Sequence, residues 1–220
     1  MPRRSRSTAA DGRGRVWVVW VDSRLPKDPN SPVSGALFLA RSEDDGRTFA
    51  PNTELRSDYP GRACACCSAE ASSDAAGRLV VGFRGAYQNL RDLYLLRGER
   101  ARRVSDDGWK FEGCPSSGPF VQAGDGPALV AWMSQGEVYW AREGGPRTAP
   151  RADRTAARNY PLALQNQRGE LLFAWVEGSK IRWETYAPGG AAGGSGERDG
   201  PHHSRPTGFA AADGSFVLLY

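Results

Sequence analysis

The chain has 220 residues, 40% of them hydrophobic and 25% charged, with a formal net charge of +4. That length suffices for one domain with a sizeable core, and the composition excludes an intrinsically disordered chain. Its positive charge is mostly arginine scattered along the sequence, not gathered on one element, which argues against a nucleic-acid partner.

The amino-terminal stretch "MPRRSRSTAADGRGR" carries charge, but no apolar segment follows it, so it does not read as a signal peptide. No apolar run approaches the ~18 residues of a membrane span. Residues 1–8 are expected to form a disordered tail and residues 9–220 a single domain.

Five segments then recur: "GRVWVVWVD" (14–22), "GRLVVGFRG" (77–85), "GPALVAWMS" (126–134), "GELLFAWVEG" (169–178) and "GSFVLLY" (214–220). Each opens on glycine and runs into β-branched and aromatic residues, and the starts lie 63, 49, 43 and 45 residues apart. Blades of a β-propeller repeat at roughly 40–50 residues. A second strand is predicted after each of the first four, at 36–42, 92–98, 137–143 and 180–187, with the turns "SQG" and "EGS" closing hairpins. No segment sustains a helical apolar period with caps. The class is therefore all-β, with about five recognisable blades or part-blades of a propeller. "GGAAGGSGERDGPHH" (189–203) is expected to be a flexible loop, with His202 and His203 solvated in it.

After the strand "ALFLARS" stands "SEDDGRTF". Asp44 can accept main-chain N–H bonds across a tight turn, Gly46 supplies positive φ, Ser42 and Thr48 can tie down polar groups of the turn, and Phe49 is expected to enter the blade interior. These five positions match S-x-D-x-G-x-T-[FW], and eroded copies occur at 104–111 and 141–150. The chain thereby resembles bacterial BNR/Asp-box repeat proteins of the sialidase-like superfamily. It is closest in pattern to an exo-α-sialidase-like branch carrying a C-x-C-C, a strand ending in Arg, "RD", and then "DGW…GCP-x-SGP". Here these are Cys64, Cys66 and Cys67; Arg84; Arg91 and Asp92; Asp107 to Trp109; and "GCPSSGP" at 113–119.

The resemblance implies about six blades, against four and the opening strand pair of a fifth in this sequence, so an amino-terminally shortened chain is expected. It also implies a periplasmic or extracellular protein, whereas this chain as written would be cytoplasmic if its start is genuine. For a sialidase it implies three arginines on the substrate carboxylate, an aspartate acid, and a tyrosine nucleophile activated by a glutamate. The "RIP" tripeptide of such enzymes is missing. Arg24, Arg84 and Arg91 sit at predicted strand ends as ligand-binding candidates. Asp22 and Asp92 are the candidate acids, and Glu177 the candidate partner of a tyrosine. None lies in a catalytic motif, so a non-catalytic or vestigial propeller binding a glycan, a small anionic ligand or a metal is expected. An exo-α-sialidase and an interaction scaffold are the alternatives.

Three of the four cysteines fall in "CACC", and the fourth is Cys114. In the repeat register both cysteine segments enter the first strands of neighbouring blades, where the thiols of Cys64, Cys66, Cys67 and Cys114 can meet. Zinc or copper coordination, a disulfide from Cys114 to one of the cluster, and inert buried thiols all remain open. Without a paired histidine Cys114 has no general base for nucleophilic work.

Overall fold

The computed structural model describes residues 6–25, 29–30, 33–200 and 205–220. Residues 1–5 of the expected tail, and His202 and His203, lie outside them. Among the described residues the regular secondary structure is all strand apart from one short 3-10 turn at Tyr87–Asn89. The chain forms two compact units, Met1–Pro127 and Ala128–Tyr220.

The first unit begins with β1 (Arg6–Ala10), β2 (Val16–Asp22), β3 (Ser34–Ser42) and β4 (Thr53–Glu54), antiparallel in that order. A short β5 (Ala63–Cys64) pairs with the start of β3, Cys64 opposite Ser34. The second sheet is β6 (Glu70–Ser73), β7 (Leu79–Arg84), β8 (Leu93–Arg97) and β9 (Arg100–Arg103), again in chain order. β10 (Phe120–Gly124) lies against it: Ala123 N–H donates to Ser72 Oγ at 2.9 Å. The two sheets pack face to face through Trp17, Val19, Leu37, Val81, Phe83 and Leu96. Ser7 Oγ accepts from Ala71 N–H between them at 2.9 Å. Each such fully buried aliphatic or aromatic side chain contributes about 1.5–3 kcal/mol.

The second unit takes up β11 (Gly126–Ser134) from its third residue and pairs it with β12 (Glu137–Arg142). Gln135 and Gly136 join them, both at positive φ (54° and 76°), the backbone of a tight two-residue hairpin. A four-stranded sheet follows: β13 (Arg158–Gln165), β14 (Leu171–Glu177), β15 (Lys180–Tyr186) and β16 (Ala192–Asp199). β17 (Thr207–Ala210) and β18 (Phe216–Leu219) form the last pair. Trp132, Phe173, Trp175 and Ile181 are fully buried in this unit.

Three expectations change. The glycine-led segments are the second strands of their sheets, not the first. The strands before them, such as "RSTAA" and "EASS", are short and built of small residues, so no apolar run reveals them. Residues 192–199, expected as loop, form β16, because glycines and polar residues suit an exposed edge paired only with β15. Residues 6–8 of the expected tail belong to β1.

At three of the five segments the recurrent glycine shares one cause. An Asp or Asn accepts main-chain N–H bonds across the turn before it, as Asp74 Oδ1 does from Arg78 N–H at 2.9 Å. Gly77 within that turn has φ +73°, where a side chain is strained. Asp11 and Asn166 repeat the arrangement, accepting from Arg15 and Glu170 N–H at 3.0 Å each.

Candidate functional site

The most unusual chemistry lies in the first unit, where β7 ends at Arg84 and the chain turns back to Arg91 before β8. Gln88 and Asn89 take positive φ in this excursion (50° and 61°). The returning segment pairs with residues 109–111: Arg91 N–H donates to Trp109 O at 2.8 Å and Phe111 N–H to Asn89 O at 3.0 Å. Both guanidiniums are buried, each residue 1% exposed. They are clamps on the segment 104–119. Arg91 Nε donates to Phe111 O at 2.8 Å and Arg91 Nη2 to Gly113 O at 3.3 Å. Arg84 Nε donates to Ser117 O at 3.1 Å, and its Nη1 to Arg91 O at 2.6 Å. Arg84 also lies 5.5 Å from the Trp109 ring centroid. Arg91 Nη1 is buried without a hydrogen-bond partner.

A disulfide between Cys66 and Cys114 pins the same segment to the chain after β5. The contact is close: a Cβ on Gly118 would stand 2.1 Å from Ser68 O, so only glycine fits there. Cys64 and Cys67 are free and buried. The Sγ atoms of Cys64, Cys66 and Cys67 lie within 4.8 Å of one another, with Cys64 and Cys66 at 3.6 Å. The hydrogen bond from Cys67 draws the Cys64 thiol down from its ordinary range, helped by the cations Arg91 and Arg84. Cys67, the donor of that bond and buried, is pushed up.

The cysteine register therefore differs from expectation: Cys64 ends β5 and Cys114 lies in the segment before β10, neither on a sheet's first strand. The segments nevertheless meet, because the 104–119 chain folds over Arg84 and Arg91. With Cys66 and Cys114 joined, the four-cysteine ligand set is divided, and only Cys64 and Cys67 keep thiols.

The other candidates are dispersed. Asp22, fully buried, accepts from Arg24 Nη2 at 2.7 Å, Arg24 N–H at 2.9 Å and Trp20 Nε1 at 2.9 Å. The Arg24 bond holds its carboxyl well below the usual carboxylate range against the effect of burial. The half-exposed Arg24 also donates to Asn52 Oδ1 at 3.0 Å and lies 4.4 Å over the Phe38 ring. A cleft of about 310 Å³ opens beside it, lined by Arg6, Trp20, Asp22, Arg24, Ala40 and Phe49. Phe49, expected inside the blade, is 44% exposed at this cleft because it leaves the turn on the outer side of the sheet. The turn itself is held by Asp44, which accepts from Thr48 N–H (2.8 Å), Thr48 Oγ1 (2.7 Å) and Ser42 Oγ (2.7 Å); Gly46 N–H donates to Ser42 Oγ at 2.9 Å.

Asp92 is fully buried, pairs with Arg103 and accepts from Asp107 N–H at 3.1 Å; burial pushes its carboxyl up. Glu177 accepts from Thr155 N–H (2.6 Å), Thr155 Oγ1 (2.7 Å), Arg158 Nε (2.8 Å) and Trp175 Nε1 (3.1 Å). Burial would raise it, but these bonds outweigh burial and hold it far down. The glutamate that does meet a tyrosine is Glu184, which accepts from Tyr186 Oη at 2.7 Å. The two stand two apart on β15 and so share a face, a signal present in "ETY" but weak among so many charged strands. Burial and the Glu184 carboxylate push the Tyr186 phenol up to about 12.

No family model matches the sequence, and the search of curated proteins returns no match. In three dimensions the chain is similar to the α-L-arabinanase of Penicillium chrysogenum complexed with arabinobiose. Identity is 13% over 100% of this chain and 75% of that one, with a TM-score of 0.68. It is also similar to an endo-arabinase from Bacteroides thetaiotaomicron (12% identity, 98% and 88% covered, TM-score 0.51). A subtype N10 neuraminidase-like protein of a little yellow-shouldered bat isolate matches at 10% identity, 90% and 59% covered, TM-score 0.53. At these identities the likeness is one of fold, and the fold is an all-β, sialidase-like β-propeller. Among the described residues no helix is long and apolar enough to cross a membrane.

Proposed function

We propose that this protein is an Asp-box member of the sialidase-like propellers that binds a carboxylated or otherwise anionic sugar without hydrolysing it. The observation that carries the reading is the cleft of about 310 Å³ where Trp20 and Phe49 stand beside the Arg24 and Arg6 guanidiniums. Aromatic faces suit the C–H face of a sugar ring, and guanidinium is the preferred partner of a carboxylate. The Ser42–Thr48 bonding supports the Asp-box assignment. The fold likeness to an arabinanase solved with arabinobiose, and to a neuraminidase-like protein, supports a sugar as the ligand class. The Cys66–Cys114 bond supports an oxidising compartment outside the cytoplasm.

The candidate catalytic groups speak against turnover. A general acid needs a proton to give near neutral pH, and Asp22 and Glu177 are held ionised by their donors. Asp92 is enclosed with Arg103, and Tyr186, whose hydroxyl meets Glu184, is buried at 5% exposure and does not line the cleft.

Titration calorimetry with sialyllactose and a panel of uronic-acid oligosaccharides tests the reading, beside a fluorogenic sialoside assay. Binding is expected for at least one acidic sugar, weakened roughly tenfold or more by Trp20→Ala, with no fluorophore release. Release that disappears in Arg24→Ala, at the cleft itself, would replace the binding reading by the enzyme. Folded protein that binds no acidic sugar would leave the scaffold reading.

A further inference from the structure

We infer that Cys64 and Cys67 form a two-coordinate site for a soft monovalent cation, Cu(I), with the Cys66–Cys114 disulfide closed above it. The inference is independent of the sugar-binding reading.

Geometry comes first. The Sγ atoms of Cys64, Cys66 and Cys67 lie within 4.8 Å of one another, close enough for one ion with metal–sulfur bonds of ~2.3 Å to reach both free thiols. Cys64 and Cys67 are buried and free, and Cys67 N–H donates to Cys64 O at 3.2 Å, which keeps the two side chains in one turn. Among the described residues the cluster contains no histidine and no carboxylate. The disulfide removes the Cys66 and Cys114 thiolates. Two thiolates are too few for zinc, which takes four ligands in a closed site, whereas soft thiolates select Cu(I).

Charge selects the same ion. Two thiolates around Cu(I) carry a net charge of minus one, and loading releases one proton from each thiol to solvent, with no change of oxidation state. Zinc on the same pair would be neutral. The surroundings are cationic: the Arg84 and Arg91 guanidiniums, each residue 1% exposed, hold the segment that the Cys66–Cys114 bond ties to this turn. Arg91 Nη1, buried with no hydrogen-bond partner, is a donor left over after the main-chain carbonyls are served. An anionic metal–thiolate centre satisfies it, which a pair of neutral thiols does not.

The test uses the whole chain, purified without reductant so that the disulfide stays closed, and Cu(I) supplied anaerobically as its acetonitrile complex. Expected are about one copper per chain after desalting and protection of both Cys64 and Cys67 from N-ethylmaleimide under denaturant-free conditions that label the copper-free protein. Peptide mapping should still find Cys66 linked to Cys114. Cys64→Ser/Cys67→Ser should hold less than about a tenth of the copper, and Arg91→Met should lose copper to a Cu(I) chelator roughly tenfold faster or more. Mapping on the unmutated protein decides if either variant fails to fold. Copper taken up only after the disulfide is reduced, copper bound while both thiols are still alkylated at the rate of the copper-free protein, or unchanged loading in the folded double variant would each overturn the site.

Discussion

In the second unit Arg158, 2% exposed, stands between two carboxylates, Glu177 at 2.8 Å and Glu137 at 3.0 Å. In the first unit Arg84 and Arg91 are as deeply buried, but the bonds that hold them run to main-chain carbonyls of the 104–119 segment and they face thiols. The carboxylates of the second unit sit on strands whose register is fixed by ladders, so charge is neutralised within the sheets. The first unit spends these two guanidiniums on holding a long irregular segment in place, while its Arg24 and Arg103 pair with Asp22 and Asp92. One arrangement sets charge against charge between laddered strands, and the other anchors the segment that carries Cys114.

The largest effect is expected where that contrast is cut in the second unit. Glu177→Ala leaves Arg158 and the Thr155 N–H without their main acceptor, and breaking a buried pair from one side costs roughly 3–5 kcal/mol. Urea unfolding followed by tryptophan fluorescence measures it. A loss below about 1 kcal/mol would mean that Glu137 and the Ala152 carbonyl suffice for Arg158.

In the first unit the matching cut is Cys114→Ser. The bridged cysteines are 48 residues apart, and closing a loop of that length stabilises a fold by about 2–4 kcal/mol. The urea midpoint should fall by that amount, and reductant should lower the unmutated protein to the same level. No shift would show that Arg84 and Arg91 hold the segment unaided.

Glu70 sharpens the comparison from the other side, as a carboxylate in the first unit hydrogen-bonded to a neutral serine. Burial pushes it up to about 7 against a hydrogen bond with Ser7. The folded state therefore binds the proton more tightly than the unfolded chain, whose glutamate titrates near ~4.3. Stability is full below that value and is lost as pH rises towards 7. Glu70→Gln should stabilise by on the order of 1–3 kcal/mol at pH 8 and by little at pH 4, read from paired urea midpoints. Equal gains at both values would remove the buried charge as the cause.

Much of this was open to reading in the sequence, and the reasons for the rest are physical. The strands "VWVVWVD", "LVVGFR" and "LLFAWVE" announce themselves because both faces are buried and apolar residues run without a break. The strands before the first two are short and rich in Ala and Ser, and the edge strand β16 is glycine-rich, so neither kind has a pattern to find. The meeting of "CACC" with Cys114 was foreseeable as one of three outcomes. Its cause was not, since the fold of residues 104–119 over two arginines depends on main-chain carbonyls that no side-chain pattern encodes. Arg24, Arg84 and Arg91 all looked like ligand arginines at strand ends. What separates them is burial: Arg24 is half-exposed beside a cleft, and the other two are enclosed.

The smallest effect belongs to the turn that was most legible of all. Bonds from the Thr48 hydroxyl and main chain, and from Ser42, draw Asp44 down to about 2. A depressed carboxylate stabilises the fold above its unfolded value of ~3.9 and loses that contribution as pH falls through about 2. Asp44→Asn keeps an acceptor of similar shape but no charge. Its urea midpoint should lie below that of the unmutated protein at pH 6, and the gap should close progressively between pH ~4 and ~2. Because the group is exposed to solvent, added salt should narrow the gap at pH 6 as well. A gap independent of both pH and salt would assign the turn's stability to its hydrogen-bond geometry instead of its charge, as for the neutral Asn166, which holds the turn between β13 and β14.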